Sequence, residues 1–435
     1  MTGAEDRYMR LALRLARLGA GRTHPNPRVG AVAVRDGRVV GLGAHLACGG
    51  EHAEAGLIRR AAPGVLRGAT LYVTLEPCCH VGRTPPCAPA IAAAGIRRVV
   101  AAMRDPHPLV NGGGFDQLQA AGVDVSSGLL ERRAARLNAP FLWMLLRGRA
   151  FVTLKVAASL DGRLAAADGT SQWICGPRAR ALVHGWRAGC DAVLVGRGTL
   201  EADRPRLTAR PPRDRLARWR RAVSQRAAGG QRPGAAVPGW PHQPVRIVLD
   251  SRAAIGLRED LLEHLTSTPG GPWVIACDER APRAARQRLE LAGVRCWSFP
   301  VRNGARGVDL RALTARLAAE GLPDLLVEGG PTVATSFTRE DLVDCYRAFL
   351  APLLLGGPRA WLGDAGFCTL DEAPRLAMER ARRIGRDALV EALSPSASRL
   401  LAWGWMAEPA RGPLDREACP LVSGPGPAGP LAVGG

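Results

Sequence analysis

The sequence is almost without lysine: Lys155 is the only one among 59 basic residues in 435. It has no apolar run long enough to cross a bilayer, so no membrane anchor is expected. It has no recognisable leader: "MTGAEDRYMRLALRLARLG" mixes acids and arginines and reads as an amphipathic helix, not a signal peptide. No repeat of solenoid length occurs. No complete G-x-G-x-x-G occurs either; "GRGTLE" (196–201) fails at its last glycine, which leaves a Rossmann dinucleotide fold unsupported. The eleven cysteines are odd in number and dispersed except near 78–87. Without a leader, this pattern predicts reduced thiols in the cytoplasm, not a disulfide framework.

What is abundant is arginine. The formal charge is +20, and the segment 210–232 holds eight arginines against one aspartate. Arginine-rich codon usage produces such an excess, and dispersed charge with one basic loop is more often a solvated surface than a nucleic-acid groove. No nucleic-acid partner is expected. Where surface positions accept arginine, a retained lysine marks a place that needs a compact ammonium on a flexible stem. Chance survival is the plainer alternative. The length exceeds what one core serves, and 47% hydrophobic with 23% charged residues is ordinary for a soluble globular chain.

Two alternations of strand and helix organise the chain. From about 5 to 145, a helix is followed by "VGAVAVRDGRVVGLGAH", a hairpin turning at Asp36-Gly37. A helix near 52–61, the strand "ATLYVTLEP", a helix at 87–94, the strand "IRRVVAAM", a helix at 114–121 and the strand "VDVSSG" follow. This order predicts a three-layer α/β domain. From about 150, "FVTLKVAASL", "CDAVLVG", "VRIVLD", "PWVIAC", "VRCWSF" and "DLLVEGG" read as buried strands, and "YRAFLAPLLLGG" as a late one. The Arg/Pro/Gly-rich stretch 210–244 reads as an insertion, and the Pro/Gly/Ser-rich residues 395–435 as a largely flexible tail.

The first chemical site lies in "GEHAEAG" (50–56) and "LEPCCHVGRTPPC" (75–87). One imidazole and two thiolates make a three-ligand set that leaves a fourth tetrahedral position on zinc for water. A carboxylate beside that water, but not on the metal, can shuttle its proton. H-x-E followed by P-C and a second cysteine is the pattern of zinc nucleobase deaminases, although here eight residues separate Cys78 from Cys87 where two are usual. Two alternatives stand beside it. One is a structural zinc site using Cys78, Cys79, Cys87 and His52 or His80; the other is a metal-free set of core cysteines.

The second site draws on three segments: 154–176, 184–210 and 326–337. Each places polar groups just after a buried strand, where α/β sheets bind ligands. Gly329-Gly330 before Pro331-Thr332 reads as a phosphate-binding helix start, or simply as a tight turn.

"THPNPRVGAV", "HAEAG" and "YVTLEPCCHVGRTPPC" closely resemble the deaminase half of the bifunctional deaminase–reductase family of riboflavin biosynthesis, and the three later segments resemble its reductase half. The resemblance runs from about 5 to 393. It implies a cytidine-deaminase-like three-layer domain over 1–147 and a dihydrofolate-reductase-like α/β domain over 148–394 that uses NADPH. It implies that His52, Cys78 and Cys87 hold zinc, that Glu54 moves the proton and that Asn26 meets the pyrimidine. Cys79 stands where the family commonly has serine and is read as a bystander. Lys155, Ser171, Arg187, Leu207, Arg210 and Glu328 match substrate-lining positions, and Lys155 takes a catalytic role. Ala157, Trp173, Thr199, Asp203, Ser251 and the turn with Gly330, Pro331 and Thr332 match cofactor positions. The implied substrate is a small pyrimidine ribosylamine 5′-phosphate, and a homo-oligomer is compatible with the sequence.

Four departures from the family pattern stand out: "DPHPLVNGGG" (105–114) puts His107 for an amide and Gly113 for a basic residue; "DRP" puts Arg204 for an acid; and "LVDC" puts Cys345 for a glutamate. These keep two rivals in view, a chain with only one live domain and a nucleic-acid deaminase with an appended domain. A zinc-stabilised binding protein with decayed sites is a third, opposed by the intact Glu54, Lys155 and Glu328.

Overall fold

Asp36 and Gly37 both adopt positive φ, 50° and 72°, so the first hairpin closes in two residues. Its strands are β1 (Gly30–Arg35) and β2 (Arg38–Ala44). In this computed structural model, which describes residues 3–82, 84–212, 241–301 and 307–404, β1 is the second strand of a five-stranded sheet. The others are β3 (Thr70–Val73), β4 (Arg98–Ala101) and β5 (Asp124–Ser126), in the order β2-β1-β3-β4-β5. β1 is antiparallel to β2 and β3, whereas β3, β4 and β5 run parallel.

Alternation along β1 divides two cores. Ala31 and Ala33 face helices α2 (Ala53–Arg60), α3 (Cys87–Ala93) and α4 (Gly113–Ala120) through Leu57, Ile91 and Leu118. Val32 and Val34 face α1 (Gly3–Ala16) and α5 (Glu131–Leu137) through Met9, Leu15 and Ala134. This is the three-layer arrangement expected from the strand and helix order.

The second sheet has nine strands in the order β10-β9-β8-β7-β11-β6-β12-β14-β13. Seven are parallel: β6 (Phe151–Ser159), β7 (Ala192–Gly196), β8 (Val245–Leu249), β9 (Trp273–Asp278), β10 (Arg295–Phe299), β11 (Asp324–Val327) and β12 (Cys345–Ala351). β13 (Ala377–Ile384) and β14 (Asp387–Leu393) add an antiparallel edge. On β6, Val152, Leu154, Val156 and Ala158 enter the core, while Lys155 and Ala157 on the other face are only half-buried. β11 later fills the gap left between β6 and β7, which creates a crevice at the carboxyl ends of these three strands.

The two halves share a core. α6 (Ala139–Arg147) is buried from Ala139 through Leu146. Trp143 Nε1 donates to the buried Asp344 (2.8 Å), which also takes both terminal nitrogens of Arg149 (2.8 Å each) and the Val152 amide (2.8 Å). Arg28 reaches Asp324 (2.9 Å), and His24 Nδ1 reaches Asp191 (2.7 Å). Cys345, one of the departures, is fully buried at this joint and faces the Arg136 guanidinium (3.0 Å).

The tail expectation needs correction at its start. Pro395–Arg399 is helical, with Ser394 Oγ accepting from Ala397 N, and Ala397, Leu400 and Leu401 are 0%, 2% and 1% exposed. The spacing i, i+3, i+4 gives these residues one apolar face, which the Pro/Ser composition of the stretch obscures. Residues 405–435 and most of the predicted insertion, 213–240, lie outside the described residues. No described helix is long and apolar enough to cross a membrane.

Candidate active sites

His52 caps α2 with extended backbone, and Cys87 opens α3 behind Pro86. Two helix N-termini therefore face one point, and both favour negative charge there. The amides of Cys87 and Ala88 donate to the Cys78 carbonyl (3.1 Å each), which ties the ends of the long 78–87 loop together. His52 Nδ1 then lies 3.5 Å from Cys78 Sγ and 3.4 Å from Cys87 Sγ. Ligands at about 2.0–2.3 Å on a tetrahedral zinc stand roughly 3.6 Å apart, so this donor triangle fits the ion. His52 Nε2 meets Thr84 Oγ1 (3.2 Å), an outer partner that fixes the ring. Among the described residues this is the one group of three or more His, Cys, Asp or Glu side chains that converges like a metal site.

Cys78 is drawn down to about 4 by Cys87 and His52, while the hydrogen bond with Cys78, and then burial, push Cys87 up. His52 is raised, chiefly by Cys78. A metal-free triangle thus retains protons that a dication would displace. Cys79 turns away toward the Leu109 carbonyl (3.5 Å), which leaves it outside the triangle.

A cavity of about 130 Å³ opens beside the triangle, and Glu54, Asn26, His45, Glu76, His80, Asp105 and His107 share its wall. Glu54 is 4% exposed, and burial pushes its carboxyl up to about 7 against the pull of His52. Asn26 Nδ2 donates to His45 Nε2 (3.4 Å), whose Nδ1 donates to the Glu51 carbonyl (2.9 Å). Burial holds His45 neutral, down at about 4.

Sequence reading missed His45, Glu76 and Asp105. Glu76 accepts from four backbone amides, those of Asp105 (3.1 Å), Gly112 (3.1 Å), Gly114 (3.0 Å) and Phe115 (3.3 Å). It thereby fixes the loop "DPHPLVNGGG". Gly112 has φ of 98°, and a Cβ on Gly114 would lie 1.9 Å from the Pro77 carbonyl oxygen, so both must be glycine. Asp105 is pushed up to about 7, mainly by burial. His107 stacks on His80 with ring centres 6.1 Å apart and accepts from the Leu109 amide at Nδ1 (3.3 Å). Gly113 and Cys79, two separate departures in sequence, are neighbours in space, since a Cβ at 113 would lie 3.0 Å from Cys79 Sγ.

The second site sits in the crevice of the nine-stranded sheet. Glu328 follows β11 and is 6% exposed at its side chain; Arg187, at the end of α7 (Pro177–Arg187), grips both its oxygens (2.6 and 2.9 Å). Lys155 Nζ is 3.9 Å from Glu328 Oε2. The Thr208 carbonyl, after Leu207 at φ 52°, accepts from Arg187 Nη1 (3.3 Å) and from His184 Nδ1 (3.1 Å). Arg210 is close enough that the Arg187 charge helps lower its pKa, second to burial. Two cations, Arg187 and Lys155, therefore face one carboxylate and a third, Arg210, lies near Arg187, a balance suited to a phosphate-bearing ligand. His184, one turn before Arg187, was not singled out in the sequence. Ser171 lies on the loop before α7, and among the described residues no hydrogen bond ties its side chain to the cluster.

The cofactor candidates divide. Gly330 caps α9 (Pro331–Arg339) without a side-chain cap, and a Cβ on it would lie 3.5 Å from Thr199 Oγ1. Thr199, Gly330, Pro331 and Thr332 thus meet at one open helix N-terminus next to Ala157's strand, and this arrangement fits a phosphate of a dinucleotide. Trp173 is 64% exposed under the Arg180 guanidinium, 4.4 Å from its ring centre. Asp203 is exposed at the end of α8 (Arg197–Asp203), and Ser251 follows β8. Arg204 is turned to Asp260 (2.5 Å), away from Thr199's helix start.

Residues 3–103 match the cytidine and deoxycytidylate deaminase zinc-binding region, and residues 150–390 match the RibD C-terminal domain. Fold and site together define a two-domain deaminase–reductase. RibD of Escherichia coli K12 is 39% identical over 389 residues, which cover 88% of this chain and 97% of that protein. RibD of Bacillus amyloliquefaciens is 36% identical over 391 residues, 89% and 96% of the two chains. The structure of Acinetobacter baumannii RibD aligns with TM-score 0.72 at 35% identity, covering 90% of this chain and 99% of that one. The structure of a Thermotoga maritima diaminohydroxyphosphoribosylaminopyrimidine deaminase/5-amino-6-(5-phosphoribosylamino)uracil reductase aligns with TM-score 0.71 at 30% identity, again over 90% and 99%. The chain belongs to the RibD family of riboflavin biosynthesis proteins.

Proposed function

We propose that the chain carries out two consecutive steps of riboflavin biosynthesis, with residues 1–147 as the deaminase and 148–394 as the reductase. The substrate is 2,5-diamino-6-ribosylamino-4(3H)-pyrimidinone 5′-phosphate. The first half releases its 2-amino group as ammonia, and the second reduces the ribosyl group to ribityl. The observation that carries this reading is the donor triangle of His52, Cys78 and Cys87 with the buried Glu54 on the wall of the same cavity.

His52, Cys78 and Cys87 would hold zinc, which supplies a water nucleophile at neutral pH. Beside such an ion, the Glu54 carboxylate would take a proton from the attacking water and hand it to the leaving amine. A carboxyl raised by burial exchanges a proton near neutrality, and a nearby dication draws it back toward the ionised form. Asn26 presents its amide to the pyrimidine, held in place by His45.

In the second half, NADPH when bound would supply the hydride. Ala157, Thr199, Asp203, Ser251, Trp173 and the turn at Gly330, Pro331 and Thr332 would hold it. Arg187 and Arg210 hold the 5′-phosphate, Leu207 and Ser171 flank the substrate, and Glu328 keeps Arg187 in place. Lys155 donates a hydrogen bond to the opened sugar and moves the proton that follows the hydride. Family membership does not favour the nucleic-acid deaminase rival. The test is to incubate the purified protein with zinc, the pyrimidine substrate and either NADPH or NADH, following ammonia and cofactor oxidation separately. Release of one ammonia followed by oxidation of one NADPH is expected; ammonia without cofactor oxidation would leave only the deaminase.

A further inference from the structure

Asn26 reaches the deaminase cavity from an arch without regular secondary structure, residues 20–29, between the short helical turn Arg17–Gly19 and β1. Such a segment keeps its place through the groups that tether it. The Asn26 amide closes a turn on the Thr23 carbonyl (2.8 Å). The buried Asn138 pins the far end, accepting from the Arg28 amide (2.8 Å) and donating to the Arg28 carbonyl (3.1 Å). Further tethers come from the reductase half. His24 Nδ1 donates to Asp191 Oδ1 and Oδ2 (2.9 and 2.7 Å), and these side chains are 2% and 6% exposed. Asp191 Oδ2 also accepts from the Asp324 amide (2.8 Å). Arg28 Nη2 donates to Asp324 Oδ2 (2.9 Å) and to the Gly189 carbonyl (3.0 Å). A Cβ on Gly321 would lie 3.6 Å from Pro25 Cδ, so the turn before β11 rests against Pro25. Residues 24, 25 and 28 thus face the reductase half, while Asn26 and Pro27 between them line the deaminase cavity.

Adhesion of the two halves does not need this clamp. α6 is buried from Ala139 through Leu146, and Asp344 gathers Trp143, Arg149 and the Val152 amide at the same joint. A buried carboxylate costs free energy unless its oxygens are satisfied. Asp191 is satisfied by one donor from each half of the chain, and the donor from the first half stands two residues from Asn26. The clamp is also remote from the reductase crevice. Asp191 and Asp324 stand at the amino ends of the adjacent parallel strands β7 and β11, whereas the crevice opens at their carboxyl ends. At about 3.3 Å per residue, the steps from Asp324 to Glu328 separate the two by roughly 13 Å.

We infer that the reductase half is a working part of the deaminase site: His24 and Asp191 are positioning residues that hold the Asn26 arch at the depth where its amide meets the pyrimidine. The inference rests on the deaminase reading of the first half. His45 orients the Asn26 side chain, and the clamp places its backbone. A weakened clamp lets Asn26 withdraw from the ring, which weakens substrate binding and leaves the triangle of His52, Cys78 and Cys87 intact.

The test compares full-length wild type, His24→Ala, Asp191→Asn and the double variant. Asp191→Asn keeps the volume but turns an NH₂ toward one of the two donors that the carboxylate serves. Each single variant should raise KM for ammonia release about five- to tenfold, the scale of one hydrogen bond, while kcat stays within about twofold. The double variant should be no worse than the worse single one, because both act through one contact. Zinc content, and NADPH oxidation with the already deaminated pyrimidine, should match wild type. Hydrogen–deuterium exchange should quicken over residues 20–30 in Asp191→Asn, a readout that needs no turnover. Absence of ammonia release by wild type would sink the deaminase reading, whereas the exchange measurement judges the clamp by itself. Unchanged exchange over 20–30, an unchanged KM in both single variants, effects that multiply in the double variant, or a parallel loss of zinc, ammonia release and NADPH oxidation would each overturn the inference.

Discussion

Replacing Glu328 with glutamine removes one charge and almost no volume. In the native protein its carboxylate accepts twice from Arg187 (2.6 and 2.9 Å), and both side chains are deeply buried, 6% and 13% exposed. Glutamine can accept from one of these nitrogens but turns its own NH₂ toward the other. Breaking a buried pair by removing one partner costs about 3–5 kcal/mol; one retained hydrogen bond brings the expected cost to roughly 2–3 kcal/mol. In a domain of this size that is a fall in Tm of about 5–10 °C. Burial alone would raise the Glu328 pKa, but the charge and hydrogen bonds of Arg187 more than offset it, and the net shift is downward. A carboxyl depressed in the folded state stabilises the fold above its unfolded pKa, and loses that contribution as pH falls through the folded value. Thermal unfolding of both proteins from pH 7 down to pH 3 should therefore show a gap that is full at neutrality and closes in acid. NADPH oxidation by the variant should fall as Arg187 loses its anchor. Equal stability at pH 7, or a gap that widens toward acid, would refute the reasoning.

Lys155→Arg keeps the charge but puts a planar fork where Arg187 already occupies both Glu328 oxygens. NADPH oxidation should fall at least about tenfold, within the range for a misplaced proton donor, while ammonia release is unchanged; unaltered oxidation would return Lys155 to chance survival. Cys87→Ser should lose zinc by atomic absorption whereas Cys79→Ser keeps it, because only the former sulfur meets His52; zinc loss from Cys79→Ser would redraw the ligand set. Leu401→Ala should destabilise the protein by about 2–4 kcal/mol in urea, since the residue is 1% exposed in the shared core. A neutral outcome there would mean that 395–404 packs only loosely.

The parts of the fold that were legible in sequence are those with a local cause. The hairpin at Asp36-Gly37 needs two positive φ values, and the residues announce it. The buried strands announce themselves by β-branched runs, and the Cys78–Cys87 loop by its spacing. What was not legible depends on long-range contact. Glu76 looked like part of a strand end, yet it organises four amides from 29 to 39 residues away. Cys345 looked like a lost glutamate and is a buried partner of Arg136, 209 residues distant. His184 becomes visible only when α7 brings it alongside Arg187 over the Thr208 carbonyl. The helical start of 395–404 was masked by composition: its three buried residues are too few to outweigh proline and serine in a sequence window.

The central claim is that one chain couples a Glu54-dependent deamination to a separate reduction. Glu54→Gln measures it most directly. The variant should retain its zinc and release no ammonia from the diaminopyrimidine substrate, and with that substrate it should oxidise no NADPH. Supplying the already deaminated pyrimidine should restore NADPH oxidation to the wild-type rate. Normal ammonia release by Glu54→Gln, or failure of the deaminated compound to restore oxidation, would contradict the account.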